Sequence, residues 1–245
     1  MTAPRELRTH RLLLRSFERG DIPTIVRLAG AREIAATTTN IPHPYTEDDA
    51  RSFLIHSDDD FRAGRSVSFA VAISPGGELC GAVGLTVTPA HERAELGYWI
   101  GVPHWGQGFA TEAAGAVMAF GFETLRLHRI HASHFAGNIA SQRVLEKIGM
   151  RYEGPSRQHI RKWNRFIDLE NYGLLASESR GEKTRSSGRG LSLPGKFAPS
   201  RADFLSISTC GPWRLGEFVA STAPFAPTEA APEGAPVRCR WRRGR

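Results

Sequence analysis

Cysteine is scarce in this chain of 245 residues: Cys80, Cys210 and Cys239 form no CxxC pair and no regular framework. That excludes a disulfide-stapled scaffold or a thiolate zinc module as the organising principle, and it fits a reducing compartment. Long apolar runs are also missing, since none approaches the ~18 residues that cross a bilayer. The opening MTAPRELRTHRLLLRSFERGD lacks an apolar stretch leading to a small-residue cleavage site, so a cytoplasmic protein is expected. A charge bias is absent where a folded domain is expected. Residues 1–179 hold 20 Lys+Arg and 20 Asp+Glu, and the net +7 comes from residues 180–245, with 12 against 5. The balanced part gives no reason to expect a nucleic-acid partner.

Composition changes near Ser179. Residues 180–245 carry 7 of the 15 prolines, and their apolar residues keep no period of 2 or 3.6. Such a segment buries too little apolar surface to offset the entropy of ordering it. The reading is therefore a domain over 1–179 followed by a disordered basic tail over 180–245. The closing RCRWRRGR is either an anionic-surface contact or a solvated extension, and the second is favoured because short basic runs are weak signals.

Within 1–179 the patterns alternate. LRTHRLLLRSF predicts a strand, GDIPTIVRLAG a helix opening at Asp21 with Pro23 in its first turn, and TEDDARSFLIHSDDDFRAG a second helix with an acidic start. SFAVAIS and LCGAVGLTVTP read as strands joined through Pro75-Gly76-Gly77, and RAELGYWIGV as a third. TEAAGAVMAFGFETL is a helix with Ala113, Val117 and Gly121 on one face. HRIHASHF is a strand, IASQRVLEKIG a helix stopping at Gly149, and RQHIRKWNRFIDLENYGLL a closing hairpin. The order β-α-α-β-β-β-α-β-α-β-β is that of a mixed α/β or α+β domain.

Two stretches carry chemistry. In ELGYWIGVPHWGQGFATE, a strand ends near Val102, a glycine-spaced loop follows, and a helix begins at about Phe109. Glycine lets backbone approach a ligand closely, and the first helical turn leaves N–H groups free at its positive end. The combination suits a pyrophosphate. It is neither a Walker A loop nor a GxGxxG fingerprint. In GNIASQRVLEKIGM, Asn138 is a good N-cap with Ser141 three residues on. The pair is either aimed at one ligand or simply a cap, and spacing leaves both open.

Together these stretches resemble the GNAT acetyltransferases, specifically the RimJ/RimL-like branch. The resemblance runs from residue 7 to about 176 and includes LRTHRLLLR and NRFIDLENYGLLA. It implies a splayed central sheet flanked by helices and acetyl-CoA as co-substrate. By motif position, Trp99, Ile100, Gly101 and Val102 would bind pantetheine. Gly106, Gln107, Gly108, Phe109 and Ala110 would bind pyrophosphate, and Asn138 and Ser141 would lie near the sulfur. Trp105 stands where the superfamily usually has Gln or Arg, as in many RimJ/RimL-like sequences. Leu145 stands where members often have an acidic Tyr, so Ser141, one turn earlier, becomes the candidate thiolate stabiliser.

The implied reaction is direct attack of an amine on a thioester, which needs a base, an acid for the thiolate and N–H donors for the oxyanion. Glu95 is the first candidate base, on the strand face of Gly97 and Trp99; its alternative is an exposed strand carboxylate. Glu153 is a second candidate. Asp168, which interrupts an apolar final strand, either orients substrate or pairs with an arginine, and the pair is favoured. His131 points away from His128 and His134 on a strand, so the three cannot converge on a metal, and none is assigned. The acceptor implied by the branch is a protein N-terminal α-amine, with small-molecule amines as the alternative. A non-catalytic acyl-CoA-binding protein and a tail-mediated nucleic-acid binder are the other classes. No membrane partner is expected, and an oligomer is possible.

Overall fold

The computed structural model describes residues 6–179. The basic tail, Cys210, Cys239 and RCRWRRGR lie outside the described residues.

Eight strands form one sheet, β1 (Glu6–Arg8), β2 (Leu12–Arg15), β3 (Ser66–Ile73), β4 (Glu78–Thr88), β5 (Arg93–Ile100), β6 (Arg129–Phe135), β7 (Arg151–Lys162) and β8 (Arg165–Leu175). Five helices accompany them, α1 (Ile22–Ala29), α2 (Arg32–Thr37), α3 (Glu47–Arg62), α4 (Phe109–Glu123) and α5 (Ile139–Lys147). Strand order is β1-β2-β3-β4-β5-β6-β8-β7. Neighbours are antiparallel except β5 and β6, which run parallel. The mixed, helix-flanked sheet is the expected architecture.

Two details differ from the sequence reading. The opening strand is a hairpin, because Thr9 turns the chain by bonding Leu12 through both its N–H and its hydroxyl. A short helix, α2, also occupies a stretch to which the sequence assigned no element, where six residues are too few to show a period. The acidic start of α3 is a capping box: Thr46 accepts from Asp49 N, and Asp49 accepts from Thr46 N.

Strand alternation splits the core in two. Leu96, Tyr98 and Ile100 of β5 pack with Ala113, Val117 and Phe120 of α4 and Leu145 of α5. Trp99 packs on the other face with Ile25 and Leu28 of α1 and Ile34 of α2. Gly81 is required where β4 crosses β5, since a Cβ there would stand 2.3 Å from the Trp99 carbonyl oxygen. Burying these aliphatic and aromatic side chains is worth roughly 1.5–3 kcal/mol each against exposure.

The feature that positions the site is a divergence. β5 pairs with β4 over its whole length, Arg93↔Thr88 to Ile100↔Gly81. With β6 it pairs only at Arg93↔Arg129, Ala94↔Ile130 and Glu95↔His131. Beyond that point the two parallel strands separate and the sheet opens into a wedge.

Candidate active site

One edge of the wedge is the free side of β5. The Gly101 N–H donates to Cys80 O on β4 at 2.8 Å. Strand alternation therefore turns the N–H groups of Ile100 and Tyr98 toward the opening, where a carbonyl oxygen could receive them. The Trp99 ring is buried in the core, and the same alternation turns its backbone N–H and C=O toward β4.

The loop at the mouth turns through Val102–His104, a 3-10 segment. Gly106 (φ 74) and Gly108 (φ 79) both adopt the left-handed region that glycine tolerates without strain. Trp105, in the place expected for Gln or Arg, folds its indole back and donates to Ile100 O at 2.5 Å. The first intrahelical bond of α4 is Glu112 N to Gly108 O, and Gly108 has no side chain to cap the end. The N–H groups of Phe109, Ala110 and Thr111 are thus unspent at the positive end of a 15-residue helix. Gly106, Gln107 and Gly108 are exposed, as an anion seat requires.

Sequence reading missed the residue that braces this loop. Arg11, 96 positions before Gln107, donates to Gln107 O at 2.9 Å and lies 4.9 Å over the Phe109 ring. Its guanidinium also pairs with Glu112 at 2.7 Å, and its backbone N–H reaches the same carboxylate. Thr9 adds a further bond to Glu112 at 2.7 Å. Burial pushes the Glu112 carboxyl up, but these donors and the Arg11 charge win, and it stays ionised below its usual range. No local sequence signal links positions 11 and 112.

The opposite side of the wedge is the start of α5. Asn138 Oδ1 accepts from Ser141 N at 3.2 Å, so the cap is real. Asn138 Nδ2 is buried without a partner, which leaves a donor available. Ser141 is fully buried, and its Oγ lies 2.9 Å from the Tyr98 hydroxyl. Burial pushes the Tyr98 phenol well above the ordinary range, the Ser141 bond opposing this in part, so it stays protonated. Leu145 is buried one turn on and offers no polar atom.

The predicted base lies where the strands part. Glu95 is half-buried beside Gly97, and burial alone pushes its carboxyl from the ordinary 4.5 to about 7. Glu153, the second candidate, is held as a bidentate ion pair by Arg129 at 2.7 Å on one arm. That pairing outweighs burial and keeps its proton affinity low, which suits a structural ion and not a base. Asp168 accepts from the Gln158 backbone N–H at 2.6 Å, not from an arginine as expected. His131 and His134 face opposite ways as predicted: His134 stacks near Tyr172 on the α5 side, and its Nε2 is buried without a partner.

A pocket of about 580 Å³ lies beyond the wedge, between α2, the β6–α5 turn and the β7–β8 hairpin. Lys162 pins the hairpin over it by donating to Thr39 O (3.2 Å) and Ile41 O (2.9 Å). Trp163 and Phe166 present large apolar surface to solvent at its rim.

Residues 11–151 match the family model described as "Acetyltransferase (GNAT) domain". The chain is 31% identical over 177 residues to the uncharacterized N-acetyltransferase p20 of Bacillus licheniformis, across 71% of this chain and 98% of p20. The solved structure of a GNAT-family acetyltransferase from Bacillus anthracis superposes with a TM-score of 0.63 at 29% identity, covering 71% of this chain and 99% of that one. RimL, the ribosomal L7/L12 alpha-N-protein acetyltransferase solved with coenzyme A, matches with a TM-score of 0.63 at 17% identity, over 68% of this chain and 95% of RimL. That last likeness is one of fold.

Proposed function

Since the chain belongs to the acetyltransferase (GNAT) family and is an acyl-CoA-dependent transferase, we propose that it transfers acetyl from acetyl-CoA to the α-amine at a protein N-terminus. The observation that carries this reading is the wedge between β5 and β6, with unspent N–H groups at its mouth and a proton-accepting carboxylate at its apex. The acceptor class rests on the RimJ/RimL-like sequence pattern and on what RimL acts on. The pocket framed by Trp163 and Phe166 supports it, since an extended peptide end has apolar side chains to lay against such a rim. The transferase domain in this reading is residues 1–179.

In this account the pyrophosphate sits on the amides of Gly106 to Ala110, the pantetheine arm follows Trp99 to Val102, and Asn138 Nδ2 donates to it. The thioester carbonyl points at the Ile100 or Tyr98 N–H, which gains strength as the oxygen becomes anionic. Glu95 takes the proton that an α-amine of pKa ~8 still carries near neutrality. Ser141, backed by the protonated Tyr98 phenol, gives the leaving thiolate its hydrogen bond. The nitrogen–carbon bond forms, the carbon–sulfur bond breaks, and the thiolate takes up a proton.

The test is free-thiol release from acetyl-CoA with tetrapeptide amides covering every N-terminal residue, alongside free amino acids and polyamines. Turnover with peptides, and mass-spectrometric acetylation of their α-nitrogen, is expected. Turnover confined to small amines would remove the peptide reading, and cofactor binding with no transfer to any acceptor would remove the catalytic roles assigned here.

A further inference from the structure

Charge is segregated on the β7–β8 hairpin. Between Gly154 and Ile167 the sequence carries Arg157, Arg161, Lys162 and Arg165 and no Asp or Glu, inside a domain of balanced charge. Lys162 is buried and anchors the hairpin through the Thr39 and Ile41 carbonyls. Arg157, Arg161 and Arg165 are exposed, as is Arg32 of α2. Among the described residues none of these arginines pairs with a carboxylate. Arg161 gives one N–H to Asn164 Oδ1 at 3.2 Å, and Arg32 lies 5.3 Å over the Trp163 ring.

The tip that carries them is strained. Trp163 (φ 46) and Asn164 (φ 61) both take the left-handed region, in a two-residue turn that favours Asn-Gly. A bulky side chain is disfavoured there. The ring so placed is 47% exposed, and its neighbour Phe166 is 64% exposed. Two large apolar rings held out to solvent at a strained turn mark a contact surface.

That surface is continuous with the site. Trp163, Arg165 and Phe166 line the pocket of about 580 Å³ whose inner wall includes Asn138. Arg161 stands opposite Phe166 in the hairpin register. Asp168 also lines the pocket, with one oxygen taken by the Gln158 N–H at 2.6 Å, and the surrounding cations outnumber it. A chain whose α-amine sits at the Asn138 end lays its following residues, ~3.3 Å apart, along this rim. The rings receive aliphatic parts of that chain. The guanidinium forks match planar carboxylates, which they bind through paired N–H donors. The balanced charge of residues 1–179 leaves no extended basic field to track a phosphate backbone, which favours carboxylates over nucleic acid.

We propose that the hairpin rim selects acceptor chains carrying Asp or Glu just after the acetylated N-terminal residue. Arg32, Arg161 and Arg165 are the specificity-determining residues, and Trp163 is the platform that carries the chain past them. This rests on the peptide-acceptor reading above. An exposed guanidinium–carboxylate pair is worth a factor of about 1.5–5 in affinity, so two or three give about tenfold. The pairs lie away from the reacting atoms and form equally in the ground and transition states, so the gain falls on KM.

The test uses the full chain, acetyl-CoA and hexapeptide amides that share one well-acetylated N-terminal residue and carry Glu, Gln or Lys at the next three positions. The value of kcat/KM should fall about tenfold from the Glu to the Gln peptide and further to the Lys peptide, with kcat within about twofold. Raising ionic strength from about 0.05 to about 0.5 M should remove most of the difference. Arg161→Gln combined with Arg165→Gln should level the Glu and Gln peptides, with the melting temperature unchanged and KM for acetyl-CoA within about twofold. Arg165→Glu should turn the preference toward Lys, which a merely structural arginine does not do. Equal kcat/KM for the Glu and Gln peptides in the wild type overturns the proposal, as does a Glu preference that survives both sets of substitutions. Inhibition by oligouridylate below the KM of the Glu peptide also overturns it, because the surface then belongs to nucleic acid. If peptides are acetylated without regard to charge, only this inference fails. If small amines alone, or no amine, are acetylated, the underlying reading fails and takes this one with it.

Discussion

Replacing Glu95 by glutamine should inactivate the protein and stabilise it at the same time. Gln keeps the shape of the side chain and removes its charge. In the folded protein the carboxyl titrates at about 7, against an ordinary 4.5. The raised value means the fold favours the protonated form, so stability is full below about pH 4.5 and is lost as pH rises through about 7. A shift of that size corresponds to about 3 kcal/mol as an upper bound at 1.36 kcal/mol per pH unit, and about 1–2 once the half-exposed side chain relaxes toward water. Glutamine does not titrate, so the variant should exceed wild type by that margin at pH 8 and match it near pH 4.5. Urea unfolding at the two pH values reads the difference, or a melting shift of ~2–4 °C per kcal/mol. The same variant should lose about 10²–10⁴ in kcat if Glu95 is the general base. Wild-type kcat/KM should rise with pH through about 7, and this limb should vanish in the variant. Glu95→Gln less stable than wild type at pH 8, or as active, would refute the reasoning.

Three other outcomes follow from the geometry. Tyr98→Phe leaves the buried Ser141 hydroxyl without its 2.9 Å partner; kcat should fall about tenfold and urea unfolding should show a loss of about 1–2 kcal/mol. Arg11→Ala frees the Gln107 and Glu112 contacts that shape the glycine loop; KM for acetyl-CoA should rise several-fold with a smaller change in kcat, read from steady-state thiol release. Gly81→Ala forces a methyl onto the Trp99 carbonyl, 2.3 Å from the new Cβ; it should cost more than about 2 kcal/mol and distort the strand that lines the wedge, visible as lost cofactor affinity in calorimetry.

Local signals were legible wherever the chemistry is local. The glycine loop into α4, the Asn138 cap and the face of Glu95 follow from turn residues, capping types and strand alternation, and the structure has all three. The α2 helix was not legible because six residues show no period. Asp168 looked like an arginine partner, but the Gln158 N–H reaches it through the irregular pairing of β7 with β8, a register that residue types do not reveal. The pairs that shape the site hardest to see join Arg11 to Glu112 and Tyr98 to Ser141, separated by 101 and 43 positions. Only the fold brings them together. His131 was weighed solely as a metal ligand and set aside; its place beside Glu95 depends on the parallel register of β5 with β6.

The most direct measurement is acetyl-CoA turnover by the full chain, followed as free thiol together with mass-spectrometric location of the acetyl group. The account predicts stoichiometric thiol release and acetylation of a peptide α-nitrogen, with Glu95→Gln inactive but still binding acetyl-CoA. Acetyl-CoA bound with no acetyl transferred to any amine, or transfer undiminished in Glu95→Gln, would contradict it.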